Sequence, residues 1–258
     1  MVSTAQKRRS IILEELSCNR LVKITDLGTR FGVSEVSIRR DLERLEQLGL
    51  LKRVHGGAVA VPNTSSPREP SRMLAHASEK ERIGRAAAAL IREGERIIFD
   101  SGTTAIQVAR SIPGDLITTG NLTVITCSLP IVQELGSWKN IHLILLGGVY
   151  LHEYQTLVGP QAIEALKGLH ADKMFVGADG LTLTNGVTTA NVLEAEVDRA
   201  LVRSASKIIV VSDSSKIGVI GLTTIMPITE IHTLITDDKA SPDFVEMLRG
   251  YGIQVLLV

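Results

Sequence analysis

The 258-residue sequence has few cysteines, no long apolar segment and no net charge. Its two cysteines, Cys18 and Cys127, are too few and too far apart for a disulfide framework or a cysteine-rich metal site. No apolar run approaches the roughly 20 residues that cross a bilayer, and the opening MVSTAQKRRS lacks the apolar core of a secretion signal. We therefore expect a cytoplasmic protein that does not contact a membrane and needs no metal or cofactor.

The zero net charge conceals an uneven distribution of charged residues. Of the 28 basic and 28 acidic residues, residues 1–61 contain 11 and 7, which leaves 17 and 21 for the rest of the chain. A basic first part on an acidic body is typical of a protein whose N-terminal domain meets phosphate groups. Chance asymmetry of a few charges gives the same pattern, so the motifs must decide.

The stretch from Gly32 to Gly57 has the pattern of a DNA-recognition helix followed by a β wing. Ser34 is placed to cap the N-terminus of this helix, and Gly49 is placed to end it. Apolar residues recur in the helix at i, i+4 and i+7 and predict one buried stripe, formed by Ile38, Leu42 and Leu45. After Gly49 the pattern is extended, with strands expected over 50–54 and 58–61.

Polar and basic residues occupy the opposite face of the helix and the wing. A recognition helix meets base edges with its N-terminal residues, and arginine can bond guanine bidentately or bind a phosphate. The residues predicted to contact DNA are Ser34, Glu35, Val36, Ser37, Arg39, Arg40, Arg44, Lys52, Arg53, His55 and Gly56.

Two shorter helices precede this stretch. Lys7–Leu16 has an apolar face, and Thr25–Phe31 is expected to be capped by Thr25 and ended by Gly32. Helix, short helix, glycine turn, long helix and glycine-tipped hairpin together predict a winged helix-turn-helix domain over residues 1–61. A small helical bundle without DNA-binding function is the alternative.

A proline-rich segment, 62–72, is predicted to link this domain to a second domain at 73–258. Ser78–Glu81 matches a capping box for a helix that Gly94 ends. Seven short apolar runs then alternate with helical segments, at 96–100, 122–127, 141–146, 173–176, 207–212, 233–236 and 254–258. This alternation predicts an α/β domain with a mostly parallel sheet covered on both faces.

Polar residues follow several of these strands, at the sheet edge where such domains bind ligands. A Gly-Thr-Thr loop opening a helix can hold an anion on backbone N–H groups, and carboxylates nearby can bond hydroxyls. The pattern suits a phosphorylated polyol. The residues predicted to bind it are Asp100, Ser101, Gly102, Thr103, Thr104, Asp179, Glu194 and Lys216.

These motifs resemble the DeoR family of bacterial regulators of sugar metabolism. The similarity covers nearly the whole chain, since the following segments occur in the family's order: SEVSIRRDLERLEQLGLLKRVHGGA, FDSGTT, LTVIT, LLGG, FVGADGL, GVTTANVLEAEV and VVSDSSKIG. The resemblance implies a repressor, or less often an activator, whose C-terminal domain is similar to ribose-5-phosphate isomerase and binds a sugar phosphate as effector.

The sequence departs from both patterns. Where the isomerases carry a catalytic lysine and a further aspartate, this chain has Asn185 and Val176, so the resemblance implies binding without turnover. The family's TNS-like loop is Thr126-Cys127-Ser128, which lacks an amide that could bond the effector. Cys127 is either a reactive thiol or, more commonly, a small apolar residue that ends a buried strand.

The sequence thus predicts a DNA-binding transcription regulator, a repressor of a carbohydrate operon, with a double-stranded DNA operator and a phosphorylated sugar as partners. One winged helix contacts too few base pairs for a specific site, so a homo-oligomer, dimer or tetramer, is expected. Two alternatives stay open: a sugar-phosphate isomerase carrying a DNA-binding domain, and an oligomerisation module with vestigial loops.

Overall fold

The computed structural model of the protein describes residues 4–19, 21–47, 50–59, 69–119 and 121–258. The chain forms two units, Met1–Ser78 and Glu79–Val258, here called the N-terminal and C-terminal units. Among the described residues, no helix is both long and apolar enough to span a membrane. The predicted linker, 62–72, lies outside the described residues up to residue 68, and the chain is helical from Glu69 onward.

The N-terminal unit packs helices against a small antiparallel sheet. Its helices are α1 (Thr4–Asn19), α2 (Ile24–Phe31), α3 (Glu35–Gln47) and α4 (Glu69–Leu74). Its strands are β1 (Leu21–Lys23), β2 (Lys52–Val54) and β3 (Gly57–Val59), in the order β1-β3-β2. The apolar stripe of α3 is fully buried, as predicted, in one core with Ile12 and Leu16 of α1. Each such side chain contributes roughly 1.5–3 kcal/mol on burial, which holds the polar face of α3 outward.

Some local predictions in this unit are wrong. Thr25 does not cap α2, because β1 runs directly into the helix and Lys23 takes the N-cap position without a side-chain hydrogen bond. Thr25 Oγ1 donates instead to Asp26 at 3.1 Å. Gly32 ends α2 as predicted, in the left-handed conformation with φ of 60°. The predicted stop at Gly49 lies outside the described residues.

The C-terminal unit is an α/β domain. Its helices are α5 (Ala77–Ala88), α6 (Thr103–Arg110), α7 (Gly114–Thr119), α8 (Leu129–Leu135), α9 (Pro160–Ala165), α10 (Val192–Arg203) and α11 (Pro242–Gly250). Its strands are β4 (Arg96–Phe99), β5 (Leu122–Thr126), β6 (Ile141–Leu145), β7 (Val149–Leu151), β8 (Thr156–Val158), β9 (Ala171–Val176), β10 (Gly180–Thr182), β11 (Gly186–Thr189), β12 (Ala205–Val211), β13 (Thr223–Met226), β14 (Thr233–Thr236) and β15 (Gln254–Leu257). Short 3-10 helices lie at Ser214–Lys216 and Ile228–Glu230.

Seven parallel strands form the central sheet, in the order β15-β14-β12-β9-β4-β5-β6. They are the seven strands predicted from apolar runs, and the α/β prediction is confirmed. The chain builds the sheet outward from β4 through β5 and β6, then returns to the other side of β4 with β9. This reversal makes the carboxyl ends of β4 and β9 the place where an open parallel sheet binds ligands.

The prediction of α5 needs correction at both ends. The helix begins at Ala77, so Ser78 lies in its first turn rather than at the capping position before it. It ends at Ala88, because Leu90 and Ile91 donate their N–H groups three residues back and tighten the last turn. Gly94, with φ of 78°, belongs to the loop that leads into β4.

Candidate DNA-contacting surface and effector pocket

The predicted DNA-contacting residues lie on one element pair, α3 and the β2–β3 hairpin. Ser34 precedes α3, and its Oγ accepts the N–H of Ser37 at 3.4 Å, which supports its predicted capping role. Of the predicted residues, Ser37 is half-buried. The others are exposed, namely Ser34, Glu35, Val36, Arg39, Arg40, Arg44, Lys52, Arg53, His55 and Gly56. The side chain of Val36 is 58% exposed, and an exposed apolar side chain there is available for a thymine methyl.

The arginines on this surface differ in their partners. Arg39 pairs with Glu35 at 3.2 Å and Arg53 pairs with Glu46 at 3.4 Å. The guanidinium of Arg40 makes no hydrogen bond or ion pair with the described residues. Arg40 is therefore a cation on α3 that can bind DNA without first breaking a hydrogen bond or an ion pair with the described residues.

Sequence reasoning missed Asp41, which fastens α3 to α1. Asp41 is 6% exposed, and its Oδ2 accepts the Nε–H of Arg8 at 2.6 Å while Arg9 lies 3.8 Å from Oδ1. A charged residue three positions after Ile38, on the buried stripe, was the available signal. This ion pair fixes the helix that carries the exposed arginines.

The predicted pocket residues meet at the carboxyl ends of β4 and β9. Asp100 ends β4, and its Oδ2 accepts the N–H of Gly177, which follows β9, at 2.9 Å. Its Oδ1 accepts the backbone N–H and the hydroxyl of Ser101. A Cβ on Gly102 would lie 3.2 Å from Asp100 Oδ2, and a Cβ on Gly177 would lie 3.3 Å from the same oxygen, so the position of this carboxylate favours glycine at both positions.

The loop after β4 leads into α6, whose first residues are Thr103 and Thr104. Gly102 is the N-cap and offers no side chain to bond the first N–H groups. Both threonines are buried, at 5% and 6% exposure. An uncapped helix start lined by hydroxyls matches the predicted anion site.

A second side of the pocket is formed by the start of α10. Asn191 caps this helix by accepting the N–H groups of Leu193 and Glu194 at 2.9 and 3.2 Å. Glu194 then accepts the hydroxyl of Ser101 at 3.0 Å and that of Thr189 at 2.5 Å. The structure thus brings the predicted Glu194 beside Ser101, and it adds Thr189, which was not predicted and also lies 3.1 Å from Asp179. One network joins the loops after β4, β9 and β11.

Asp198 was also missed, and it is a buried residue of the same pocket. It is one helical turn after Glu194, is 4% exposed, and lines a small cavity with Asp100, Ser101 and Cys127. Burial, and then the negative charges of Asp100, Glu194 and Asp179, raise the pKa of Asp198 well above its usual value.

Cys127 borders the same cavity. Burial, and then the negative charges of Asp198 and Asp100, raise the pKa of its thiol to about 12. Because the thiolate is the reactive form, the structure favours the interpretation of Cys127 as a small apolar residue that ends a buried strand.

Lys216 lies apart from the network. It ends the 3-10 helix after β12, two strands from β4, which is about 10 Å across a sheet. Within the described residues its ammonium group makes no hydrogen bond or ion pair. The structure leaves Lys216 at the same edge of the sheet as the pocket, without a contact to the other predicted residues.

A buried lysine on α5 was not predicted. Lys80 is 4% exposed and lies one turn before Gly84, where a Cβ would come within 2.7 Å of Gln107 on α6. Lysine is rarely buried unless it is paired, and Lys80 does have an interaction partner.

The two positions that distinguish the chain from the isomerase pattern have structural roles. Asn185 is exposed in the turn between β10 and β11, where its N–H donates to Thr182 Oγ1 at 3.0 Å. Val176 is fully buried at the end of β9.

The chain matches known proteins over nearly its full length. Residues 8–64 match a model described as the DeoR-like helix-turn-helix domain, and residues 75–238 match the DeoR C terminal sensor domain. The regulator GolR of Listeria innocua is 33% identical over 96% of this chain and 97% of its own length. The regulator GlpR of Haloferax volcanii is 34% identical over 99% and 98%, and the repressor GlcR of Bacillus subtilis is 31% identical over 98% and 96%.

Among solved structures, ribose 5-phosphate isomerase A from Methanocaldococcus jannaschii aligns with a TM-score of 0.40 at 19% identity, over 54% of this chain and 53% of the isomerase.

A DNA-binding helix-turn-helix followed by a sensor domain defines a ligand-controlled transcription regulator. The chain belongs to the DeoR family of transcriptional regulators, as the motifs predicted.

Proposed function

We propose that this protein represses a carbohydrate-utilisation operon and that a phosphorylated sugar controls its binding to the operator. The observation that carries the proposal is the network at the ends of β4 and β9, where Asp100, Ser101 and Glu194 meet beside the start of α6. Carboxylates and hydroxyls can bond sugar hydroxyls, and the helix start can hold the phosphate. The names of relatives such as GlcR, a repressor, support the sign of the regulation.

In this proposal the phosphate binds the backbone N–H groups of 102–104 together with the hydroxyls of Ser101, Thr103 and Thr104. Asp100, Asp179 and Glu194 accept hydrogen bonds from the sugar. Lys216 approaches the phosphate from the loop after β12, and its free ammonium supports this role.

On the DNA side, we propose that the N-terminal residues of α3 contact base edges in the major groove and that the wing contacts backbone phosphates. The contacting residues are those exposed on α3 and the hairpin, with Arg40 central because its charge is unpaired within the described chain. Two half-sites require two recognition helices, so the acting species is a homo-oligomer, a dimer or a tetramer.

We further propose that the pocket binds its ligand without turnover. Interconversion of an aldose and a ketose needs groups that move a proton between neighbouring carbons. Asn185 and Val176 stand where the isomerase pattern has a lysine and an aspartate, and neither side chain can act as an acid or base. A turnover assay with ribose 5-phosphate that shows isomerisation would contradict this part of the proposal.

The proposal is tested by a gel-shift titration on DNA from upstream of the protein's own gene, repeated with a panel of sugar phosphates. We expect tight binding that one compound releases, while the corresponding unphosphorylated sugar has no effect. Binding that no phosphorylated sugar alters would refute effector control, and absence of binding would refute the regulator assignment for that DNA.

A further inference from the structure

Three buried carboxyl groups lie together in the pocket, an arrangement that binding of a sugar phosphate does not require. Asp100, Glu194 and Asp198 each present a carboxyl oxygen, and these atoms lie within 4.8 Å of one another. All three residues are buried. Divalent cations such as Mg²⁺ and Ca²⁺ bind oxygen ligands at about 2.0–2.6 Å. Oxygens that lie within 4.8 Å of one another can therefore bind one and the same ion.

Asp198 supplies an independent indication that something binds there. Asp198 is 4% exposed and therefore 96% buried. It lines the cavity, and it has no hydrogen-bond partner among the described residues. Buried polar side chains are nearly always hydrogen-bonded. The neighbouring Arg199 does not serve it, because its guanidinium bonds Thr223 Oγ1 at 2.9 Å and the carbonyl of Thr224.

The other two carboxylates of the cluster are held in place by hydrogen bonds. Asp100 is fixed by the N–H of Gly177 and by Ser101, and Glu194 by the hydroxyls of Ser101 and Thr189. These bonds fix the positions of the carboxyl oxygens beside the cavity that Asp100 and Glu194 line with Asp198. The cavity has room for one water-sized group, and a bare divalent cation is smaller than a water molecule.

The geometry points to a divalent cation site formed by Asp100, Glu194 and Asp198 at the floor of the pocket. Hard oxygen ligands of this kind select Mg²⁺, Mn²⁺ or Ca²⁺ over softer metals. The site shares two residues with the proposed effector site but does not rest on the proposed function, since a cation can bind whether or not a sugar phosphate does.

The test is a titration of the full-length, chelator-treated protein with MnCl₂, followed by the loss of the EPR signal of free Mn²⁺. We expect one saturable site per chain. Asp198→Asn, which keeps the size of the side chain, should weaken Mn²⁺ binding at least about tenfold, since even residues that only support a ligand cost 10–100-fold. The matched control is Asp243→Asn, an exposed carboxylate in the first turn of α11, which should bind Mn²⁺ like the wild type.

Circular dichroism establishes that the variants are folded. A second variant, Glu194→Gln, changes another proposed ligand of the same site and should also weaken Mn²⁺ binding. Absence of saturable binding in the wild type, or unchanged affinity in Asp198→Asn, would overturn the assignment and leave a buried water as the occupant. Because neither DNA nor sugar is present, failure here is distinct from failure of the gel-shift titration.

Discussion

Buried carboxyl groups have opposite electrostatic environments in the two units. In the N-terminal unit, Asp41 is buried against the guanidinium of Arg8, and the ion pair joins two helices. In the C-terminal unit, Asp198 is buried beside Asp100 and Glu194, so like charges face each other. A paired buried charge holds the fold together, whereas clustered carboxyls oppose folding and persist at places that bind ligands. The difference separates a structural aspartate from a candidate site residue.

The largest effect is expected from loss of an exposed arginine of α3, the helix that Asp41 joins to α1. Arg40→Ala should weaken operator binding by roughly 5–150-fold, because one specific arginine contact contributes about 1–3 kcal/mol. Arg39→Ala should cost less, since Arg39 is already paired with Glu35. Gel-shift titrations measure the affinity of the two variants for operator DNA and test this difference. Effector binding should be unchanged in both variants. Equal losses would show that the ion pair with Glu35 does not matter.

Loss of the paired carboxylate should destabilise the fold. Asp41→Asn leaves the half-buried guanidinium of Arg8 without its charged partner, and a hydrogen bond to a charged group contributes roughly 1.5–3 kcal/mol. Urea denaturation should show this loss in the transition of the N-terminal unit, with Asp26→Asn, an exposed aspartate of α2, as control. A change no larger than in the control would mean that the pair with Arg8 is energetically neutral.

Loss of the clustered carboxyl group should have the opposite sign. In metal-free buffer at neutral pH, Asp198→Asn should raise the melting temperature of the C-terminal unit by roughly 2–4 °C, the shift that about 1 kcal/mol produces in a domain of this size. The amide keeps the shape of the carboxyl group and never ionises. Destabilisation by this variant would show that the carboxyl group of Asp198 contributes favourably in the wild type.

The same variant has a defined pH dependence. The folded-state pKa of Asp198 is raised above the ordinary value of 3.8, so below that value the folded and unfolded chains are both protonated. As pH rises, the unfolded chain releases the proton first, and the wild type loses stability until the pH passes the folded-state pKa. The advantage of Asp198→Asn should therefore grow as the pH rises above 3.8. A constant difference would contradict the raised pKa.

The sequence predicted the parts of the fold that depend on regular apolar patterns. The seven strands of the central sheet are continuous Ile, Val and Leu runs, and the stripe of α3 follows helical spacing. Strands of three or four residues, such as β1 and β10, are too short to show a pattern. Asp41 and Asp198 were missed for another reason, since their environments depend on Arg8, 33 residues away, and on Asp100, which only the folded sheet brings near α10.

The smallest effect is expected at the helix start beside the acidic cluster. Thr103→Ala removes a buried hydroxyl but leaves the backbone N–H groups of α6, so the effector concentration that releases DNA should rise by roughly 2–10-fold, the equivalent of about 0.5–1.5 kcal/mol for one hydrogen bond. Thr118→Ala, an exposed threonine of α7, is the control. The shift should be the same with and without Mn²⁺, because the phosphate and the cation bind to different groups. A shift that disappears without Mn²⁺ would mean that the two ends of the pocket act together, and release at the wild-type concentration would remove Thr103 from the proposed site.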